Sequence, residues 1–411
     1  MQTDIVKRLY ETIDTYTDQL IEWQKHLVSI QAIGPENGGE GEVQKSLYVK
    51  TILKDIGFDE VLGFNAPDDR VPGNIRPNIA AKIFGNDPQT TVWILAHLDV
   101  VPAGDLKYWQ SDPFQLVVDG DKLVGRGVED NHQGLVSALL AVKALREHGV
   151  TPSKNVGLVI VSDEESGSQY GLEYLLKHHQ DVFKPDDLII VPDAGDPKGI
   201  TLEVSEKSIM WIKFHIKGTQ CHASTPQFGI NAHRAAAHLA VELDSLYSSF
   251  PIKDNVYDTP YSTFEPTKKE ANVPNINTIP GEDVFYLDCR ILPDYTIAQV
   301  EEAIHQSIEK VKKRFQVEID ISFPQKEQAA PPTANDAPVV QTLARAIRDV
   351  KAKDPQIVGI GGGTVASFFR RAGFPAVVWG TIADTCHQPN EYALISNTLD
   401  DAKVLSHVFV Q

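Results

Sequence analysis

Apolar positions in the first two hundred residues follow two alternating patterns. Between residues 3 and 30, Ile5, Leu9, Ile13, Leu20, Ile21 and Leu27 recur at helical spacing on roughly one face. Short continuous apolar runs then occupy 78–84, 92–96, 155–161 and 187–192, each bounded by turn residues, and read as buried strands. Helical spacing at about 133–147 and 170–179 separates them, which predicts an α/β arrangement. Near residue 203 the pattern changes. A half-exposed strand over 207–217 and an Ala-rich helix over 231–249 are followed by strands around 261–264 and 283–291. A helix at 296–313 and a strand at 316–323 complete a β-α-β-β-α-β series. Pro331-Pro332 marks the return, and a helix at 337–350, a strand at 375–379 and a last helix near 397–409 are predicted to finish the first sheet. The expected division is a discontinuous α/β domain over 1–202 and 327–411 with a mainly parallel sheet, and an inserted ferredoxin-like unit over 203–326.

The predicted strands end in reactive residues. Trp93 to Ala96 leads into His97-Leu98-Asp99, and Val156 to Val161 leads into Ser162-Asp163-Glu164-Glu165. Leu188 to Val191 leads into Pro192-Asp193, and Val377 to Trp379 leads through a loop into Cys386-His387. Parallel strands share one rim at their carboxyl ends, and ligands bind there. Four segments thus deliver imidazoles and carboxylates to one crevice, which points to a metal site.

Composition narrows the setting. A length of 411 residues suits two domains. No apolar run exceeds about six residues, far short of a bilayer span, and the polar start has no signal-peptide core. Three cysteines without C-x-x-C spacing favour reduced thiols, so a cytoplasmic location is expected. The net charge of −18 argues against nucleic acid or an anionic membrane as partner, and serves at least solubility.

Seven motifs in order carry a family resemblance: H-L-D-V-V-P-A-G-D at 97–105, G-R-G-V-E-D at 125–130, S-D-E-E-S-G at 162–167, P-D-A-G at 192–195, C-H-A-S-T-P at 221–226, N-T-I-P-G at 277–281 and D-C-R-I-L-P at 288–293. From about residue 20 onward the chain resembles the co-catalytic zinc hydrolases of peptidase family M20, which include acetylornithine deacetylase, succinyl-diaminopimelate desuccinylase, aminoacylase and glutamate carboxypeptidase. The resemblance implies a zinc-exopeptidase-like catalytic domain and a lid that also serves dimerisation. It implies two Zn2+ per chain, with Co2+ or Mn2+ as alternatives, held by His97, Asp130, Glu165, Asp193 and His387. With Asp130 as a bridge, each ion has three protein ligands and an open position, the signature of a catalytic site. Asp99, two residues after His97, is expected to accept the second ring N–H and fix its tautomer. Glu164 resembles the general base acting on the water between the metals, and Asp163 is read as capping the turn.

Further roles follow from the same resemblance. His222 matches a histidine that reaches a neighbouring subunit's site to hydrogen-bond the oxyanion. Asn277 and Arg290 match residues that hold substrate, although Asn277 equally suits shaping a turn and Arg290 an ion pair with Asp288. Gly361-Gly362-Gly363-Thr364 matches a loop that cradles the substrate carboxylate, with a purely steric role as the alternative. Three departures bear on specificity. His132 stands where many relatives have Lys two residues after the bridging Asp; the glycine loop lacks the following Asp and Arg; and the return segment has only Lys326 as a cation. The expected activity is hydrolysis of an amide or peptide bond in a small or short-peptide substrate with a free carboxylate. It is of the carboxypeptidase/dipeptidase or N-acyl-amino-acid deacylase type, carried out by a homodimer. The rival is a catalytically silent metabolite-binding or scaffold relative, which predicts loss of a key residue, yet every key position is filled.

Overall fold

The computed structural model describes residues 2–411. Two compact units emerge: one runs to Val204 and resumes over Thr333–Ile357 and Val365–Gln411, and the other covers Ser205–Pro332 and Val358–Thr364. Among the described residues no helix is long and apolar enough to cross a membrane.

The main sheet has eight strands in the order Glu60–Pro67, Ile75–Ile83, Lys154–Val161, Asp87–His97, Leu188–Val191, Ala376–Val378, Thr201–Glu206 and Gln356–Ile360. Its four central strands, from Lys154–Val161 to Ala376–Val378, are mutually parallel. The strands flanking them pair antiparallel, so the sheet is mixed with a parallel centre. Burial on both faces is why the central strands are continuously apolar rather than alternating. Trp93, Val159, Val161, Phe183, Ile189, Val191 and Phe369 share one core there. Gly157 lies flush against the Trp93 ring, where an added Cβ would come within 2.3 Å of a ring carbon. The Trp93 indole N–H is satisfied by Asp187 at 2.8 Å.

Some elements differ from the pattern. The expected helix over 3–30 is two helices, Gln2–Ile13 and Thr17–Ser29, broken where the polar Asp14-Thr15 pair precedes Tyr16. The Tyr16 hydroxyl turns inward to donate to Glu147 at 2.6 Å. A helix over Val43–Ile56, closed by Gly57 at φ +84°, was not predicted. Nor was a three-stranded sheet of Val117–Asp119, Lys122–Val124 and Tyr392–Leu394.

The second unit has an antiparallel sheet in the order Thr263–Lys269, Glu282–Ile291, Ser208–Lys217, Glu318–Glu327. Each helical crossover skips one strand, which is the split βαβ topology. Alternation is clean: Met210, Ile212, Phe214 and Ile216 share a core with Phe285, Leu287 and Ile291 and with the helix Ile297–Phe315. That helix begins with a capping box between Thr296 and Gln299. The helix expected over 231–249 is interrupted at Leu243-Asp244. Residues Val358–Thr364, which include the glycine loop, are grouped with this unit.

Candidate metal centre

Six residues converge near the carboxyl ends of the parallel strands. His97 is the last residue of its strand, and the pair Glu164-Glu165 opens a short 3-10 turn after Lys154–Val161. Asp193 follows Leu188–Val191, and Asp130 precedes the buried helix His132–Glu147, joined to Asn131 by a cis peptide. His387 lies in the loop after Ala376–Val378 at φ +62°.

The Nε2 atom of His97 lies 2.9 Å from Asp130 Oδ1 and 3.3 Å from Asp193 Oδ1. The Nε2 atom of His387 lies 3.1 Å from Asp130 Oδ2 and 3.0 Å from Glu165 Oε2. Asp130 therefore offers one oxygen to each of two triads. Glu164 presents its carboxylate to the His97–Asp193 side, with ligand atoms of the three within 4.8 Å of one another. The remaining Glu165 oxygen, Oε1, is buried without a hydrogen-bond partner. Two imidazoles, three carboxylates and an orphaned buried oxygen suit a first-row divalent metal.

Electrostatics follow from crowding. Burial pushes His97 toward its neutral form, but Asp130, Asp193 and Asp99 outweigh it and hold its pKa well above the usual value. Asp130 and Glu165 raise His387 to about 10. Burial raises Asp130, but His387 and His97 outweigh it and leave the carboxyl well below its usual range. Burial, reinforced by Asp193, lifts Glu164 well above the ordinary carboxyl range.

Asp99 meets the His97 ring and also the turn that follows Val161. The Nδ1 atom of His97 is bonded to the backbone carbonyl of Asp99 at 3.0 Å, while the Asp99 carboxylate stands 3.6 Å away. That carboxylate also accepts from the backbone N–H groups of Glu164 and Glu165 at 3.1 and 3.0 Å. The strand ends at His97, so strand alternation no longer governs Asp99. Asp163, in the left-handed region at φ +64°, braces the same turn by accepting from the Tyr170 N–H at 3.0 Å.

Two carboxylates that the sequence did not flag tie the Asp130 and His387 loops together. Glu391 accepts from the N–H groups of Gly127, Glu129 and Asp130 at 3.0–3.1 Å and from Arg126 at 2.7 Å. In return Glu129 accepts from the N–H groups of Ala383 and Thr385 and from the Thr385 hydroxyl. Each loop thus carries the acid that fixes the other. Asn131 donates to Asp193 at 2.9 Å and to the Pro192 carbonyl at 2.8 Å. Behind Asp130, His132 is fully buried with Nε2 2.9 Å from Nζ of Lys45, itself 1% exposed. Burial lowers Lys45 to about 7, against the pull of Asp99, Glu42 and Glu391.

The expected substrate residues all lie in the second unit. His222 pairs with Thr278 across a two-residue ladder, and the Ala223 N–H donates to the Asn277 carbonyl at 2.9 Å. The Ser224 N–H donates to His222 Nδ1 at 3.1 Å, which leaves the ring proton on Nε2. Arg290 makes the Asp288 ion pair at 2.8 Å and also donates to the Gly361 carbonyl at 2.9 Å. Around Gly362 a Cβ would meet nothing within 4 Å, and Gly363 has only Glu206 near it, at 3.9 Å, so steric need does not explain these glycines. The loop is not a vacant cradle throughout, because Thr364 spends its N–H at 3.0 Å, and its hydroxyl, on the Glu206 carboxylate. Lys326 is engaged with Glu301 at 2.5 Å.

The family model for peptidase family M20/M25/M40 matches residues 93–411. An uncharacterized metallohydrolase of Methanocaldococcus jannaschii is 41% identical over 410 residues, covering 95% of this chain and 98% of its own. The succinyl-diaminopimelate desuccinylase of Wolbachia pipientis subsp. Culex pipiens is 25% identical over 399 residues, covering 95% of this chain and 91% of its own. In fold, the crystal structure of human carnosine dipeptidase 1 matches with a TM-score of 0.71 at 19% identity, covering 99% of this chain and 98% of that one.

Proposed function

The chain belongs to peptidase family M20/M25/M40 and is a metal-dependent hydrolase of amide or peptide bonds, and on that premise we propose that it works with two zinc ions sharing Asp130. The observation that carries this reading is the division of the Asp130 oxygens between His97 and His387. His97 and Asp193 hold one ion and Glu165 and His387 the other, with Co2+ or Mn2+ compatible with the same donors. The bound ions supply Lewis acidity to the scissile carbonyl and to the attacking water. Glu164, raised in pKa by burial, takes the proton of that water and returns it to the leaving amine nitrogen. Asp99 holds the Glu164-Glu165 turn in place through two backbone N–H groups. His222, with its proton on Nε2, is the donor proposed for the developing oxyanion, delivered within a homodimer formed through the 203–326 segment. The exposed edge strands Thr263–Lys269 and Glu318–Glu327 of that segment suit pairing between copies. Asn277, Arg290, Gly362, Gly363 and Thr364 are the proposed contacts of a substrate bearing a free carboxylate, a dipeptide or an N-acyl amino acid.

Hydrolysis of a panel of dipeptides, folate-type glutamates and N-acetyl or N-succinyl amino acids tests the reading, with bound metal counted alongside. Turnover that disappears with chelation and returns with Zn2+ supports it; a protein that binds no metal refutes it. Proton release adds a second readout. In the metal-free protein His97 and His387 are both held protonated at pH 7, His387 up to about 10. Their stabilising contribution is present below the unfolded value and lost as pH rises through the raised one. Metal must displace those protons, so titration calorimetry in buffers of differing ionisation enthalpy is expected to show about two protons released per chain. The acids joining the two loops should matter without touching metal. Glu391→Gln is expected to weaken metal binding by about 10–100-fold in a chelator competition while the fold persists.

A further inference from the structure

We propose that Thr381 is a positioning residue for the metal centre: a buried junction that ties together the segments carrying Asp130, Asp193 and His387 and so sets the spacing of those three ligands. The inference rests on the metal-centre reading above. Thr381 follows the strand Ala376–Val378 and precedes His387 by six residues. It is buried, and every polar group it owns is engaged. Its N–H donates to Asp401 Oδ2 at 2.8 Å and its hydroxyl to Asp401 Oδ1 at 2.5 Å. The same hydroxyl accepts from Lys351 Nζ at 2.8 Å. The carbonyl accepts from the side-chain amides of Gln133 at 2.7 Å and Asn397 at 3.1 Å.

The partners make this a junction rather than a local anchor. Gln133 lies in the first turn of the helix His132–Glu147, three residues after Asp130. Asp196, three residues after Asp193, forms a parallel bridge with Thr381. Its N–H donates to the Gly380 carbonyl and its carbonyl accepts from the Ile382 N–H, both at 3.3 Å. Two glycines permit that approach. A Cβ on Gly195 would come within 1.9 Å of the Gly380 oxygen, and one on Gly199, at φ +60°, within 2.1 Å of the Thr381 hydroxyl. Lys351 ends the helix Pro338–Lys351, while Asn397 and Asp401 lie on the last helix, Ile395–Val410. That last helix packs against both of the others. The Asp401 carboxylate is buried, with the Lys351 ammonium 3.5 Å away. A buried ion pair often stabilises no more than apolar packing of similar volume, so stability alone does not account for one placed on Thr381. Geometry does. Three packed helices grip one backbone unit, and through it the Asp193 segment joins the bracing that Glu129 and Glu391 give to Asp130 and His387.

Thr381→Val keeps the volume and the backbone bonds and removes the hydroxyl shared by Asp401 and Lys351. It is expected to bind Zn2+ about 10–100-fold more weakly than the wild type in chelator competition. The visible absorption spectrum of the Co2+-loaded protein, which reports ligand geometry, should change as well. Its kcat should fall with KM little changed. Thr381→Ser restores the hydroxyl and should return metal affinity and spectrum toward wild type. Thr333→Val controls for destabilisation, because the buried Thr333 hydroxyl donates to the Ala376 carbonyl at 2.7 Å, at the other end of the same strand. That control should melt at a lower temperature with metal affinity and Co2+ spectrum unchanged. Wild-type affinity and spectrum in Thr381→Val overturn the proposal, whatever its melting temperature. Equal weakening in Thr381→Ser or in Thr333→Val overturns it too. Should Thr381→Val fail to fold, Asn397→Ala removes one bond to the Thr381 carbonyl: weaker Zn2+ binding supports the junction, and unchanged binding overturns it. A wild type that binds no metal defeats the metal-centre reading itself, and that control tells the two failures apart.

Discussion

Glu164→Gln is expected to lower kcat by about 10²–10⁴-fold while leaving two metal ions bound. The amide keeps the size and the backbone bond to Asp99, so the turn that presents Glu165 stays intact. What is lost is the ability to take a proton beside His97 and Asp193. Steady-state kinetics on the best panel substrate, with metal counted in both proteins, separates the two effects. A variant that retains metal and activity would remove Glu164 from the chemistry and return attention to Glu165 and the bound water. A variant that loses metal would show instead that Glu164 is a ligand.

The second large effect concerns stability. Arg76 is fully buried, donates twice to Glu42 at 2.5 and 2.7 Å, and meets Asp68 at 3.4 Å and Asp163 at 3.3 Å. Arg76→Met leaves those acids in a low-dielectric interior with their shared partner gone, which costs about 3–5 kcal/mol. For a unit of this size, that is expected to lower Tm by roughly 10 °C in a thermal melt. Arg76→Met/Glu42→Gln should recover part of the loss, since fewer charges remain unpaired. A melt unchanged from wild type would mean that the acids take up protons at little cost. The effect also reaches the site, because Asp163 immediately precedes Glu164.

Legibility in the sequence divided along physical lines. The candidate metal residues His97, Glu165, Asp193 and His387 were legible because each follows a buried parallel strand, and such strands are continuous apolar runs whose carboxyl ends share a rim, whereas Asp130, in the loop before the helix His132–Glu147, came only from the motif it stands in. The inserted unit was legible because Ser208–Lys217 and Glu282–Ile291 alternate cleanly between core and solvent. Strand Glu60–Pro67 was not, since most of its residues are exposed and no apolar periodicity marks it. For Asp99, alternation does not carry past the strand end at His97, and both its backbone carbonyl and its carboxylate stand beside that ring. Lys45, Glu129 and Glu391 were invisible for a deeper reason. In sequence each is an ordinary charged residue, and only tertiary burial makes it a partner of the site. His132 was noticed as a departure, but nothing local announces that a lysine 87 positions away meets it.

The strand Ala376–Val378 lies in the middle of the main sheet, between Leu188–Val191 and Thr201–Glu206, although it is encoded after the whole antiparallel sheet of the second unit. While a ribosome is still translating upstream of it, the neighbouring strands flank an unfilled slot and His387 does not yet exist. The antiparallel sheet of the second unit, by contrast, is contiguous from Ser208 to Glu327 and is fully encoded before that point. The nested part of the molecule can therefore mature first on the ribosome, and the part that surrounds it in sequence must wait. Assembly of the candidate site becomes a late event, and a nascent chain stalled before residue 376 carries an open sheet for chaperones to shield.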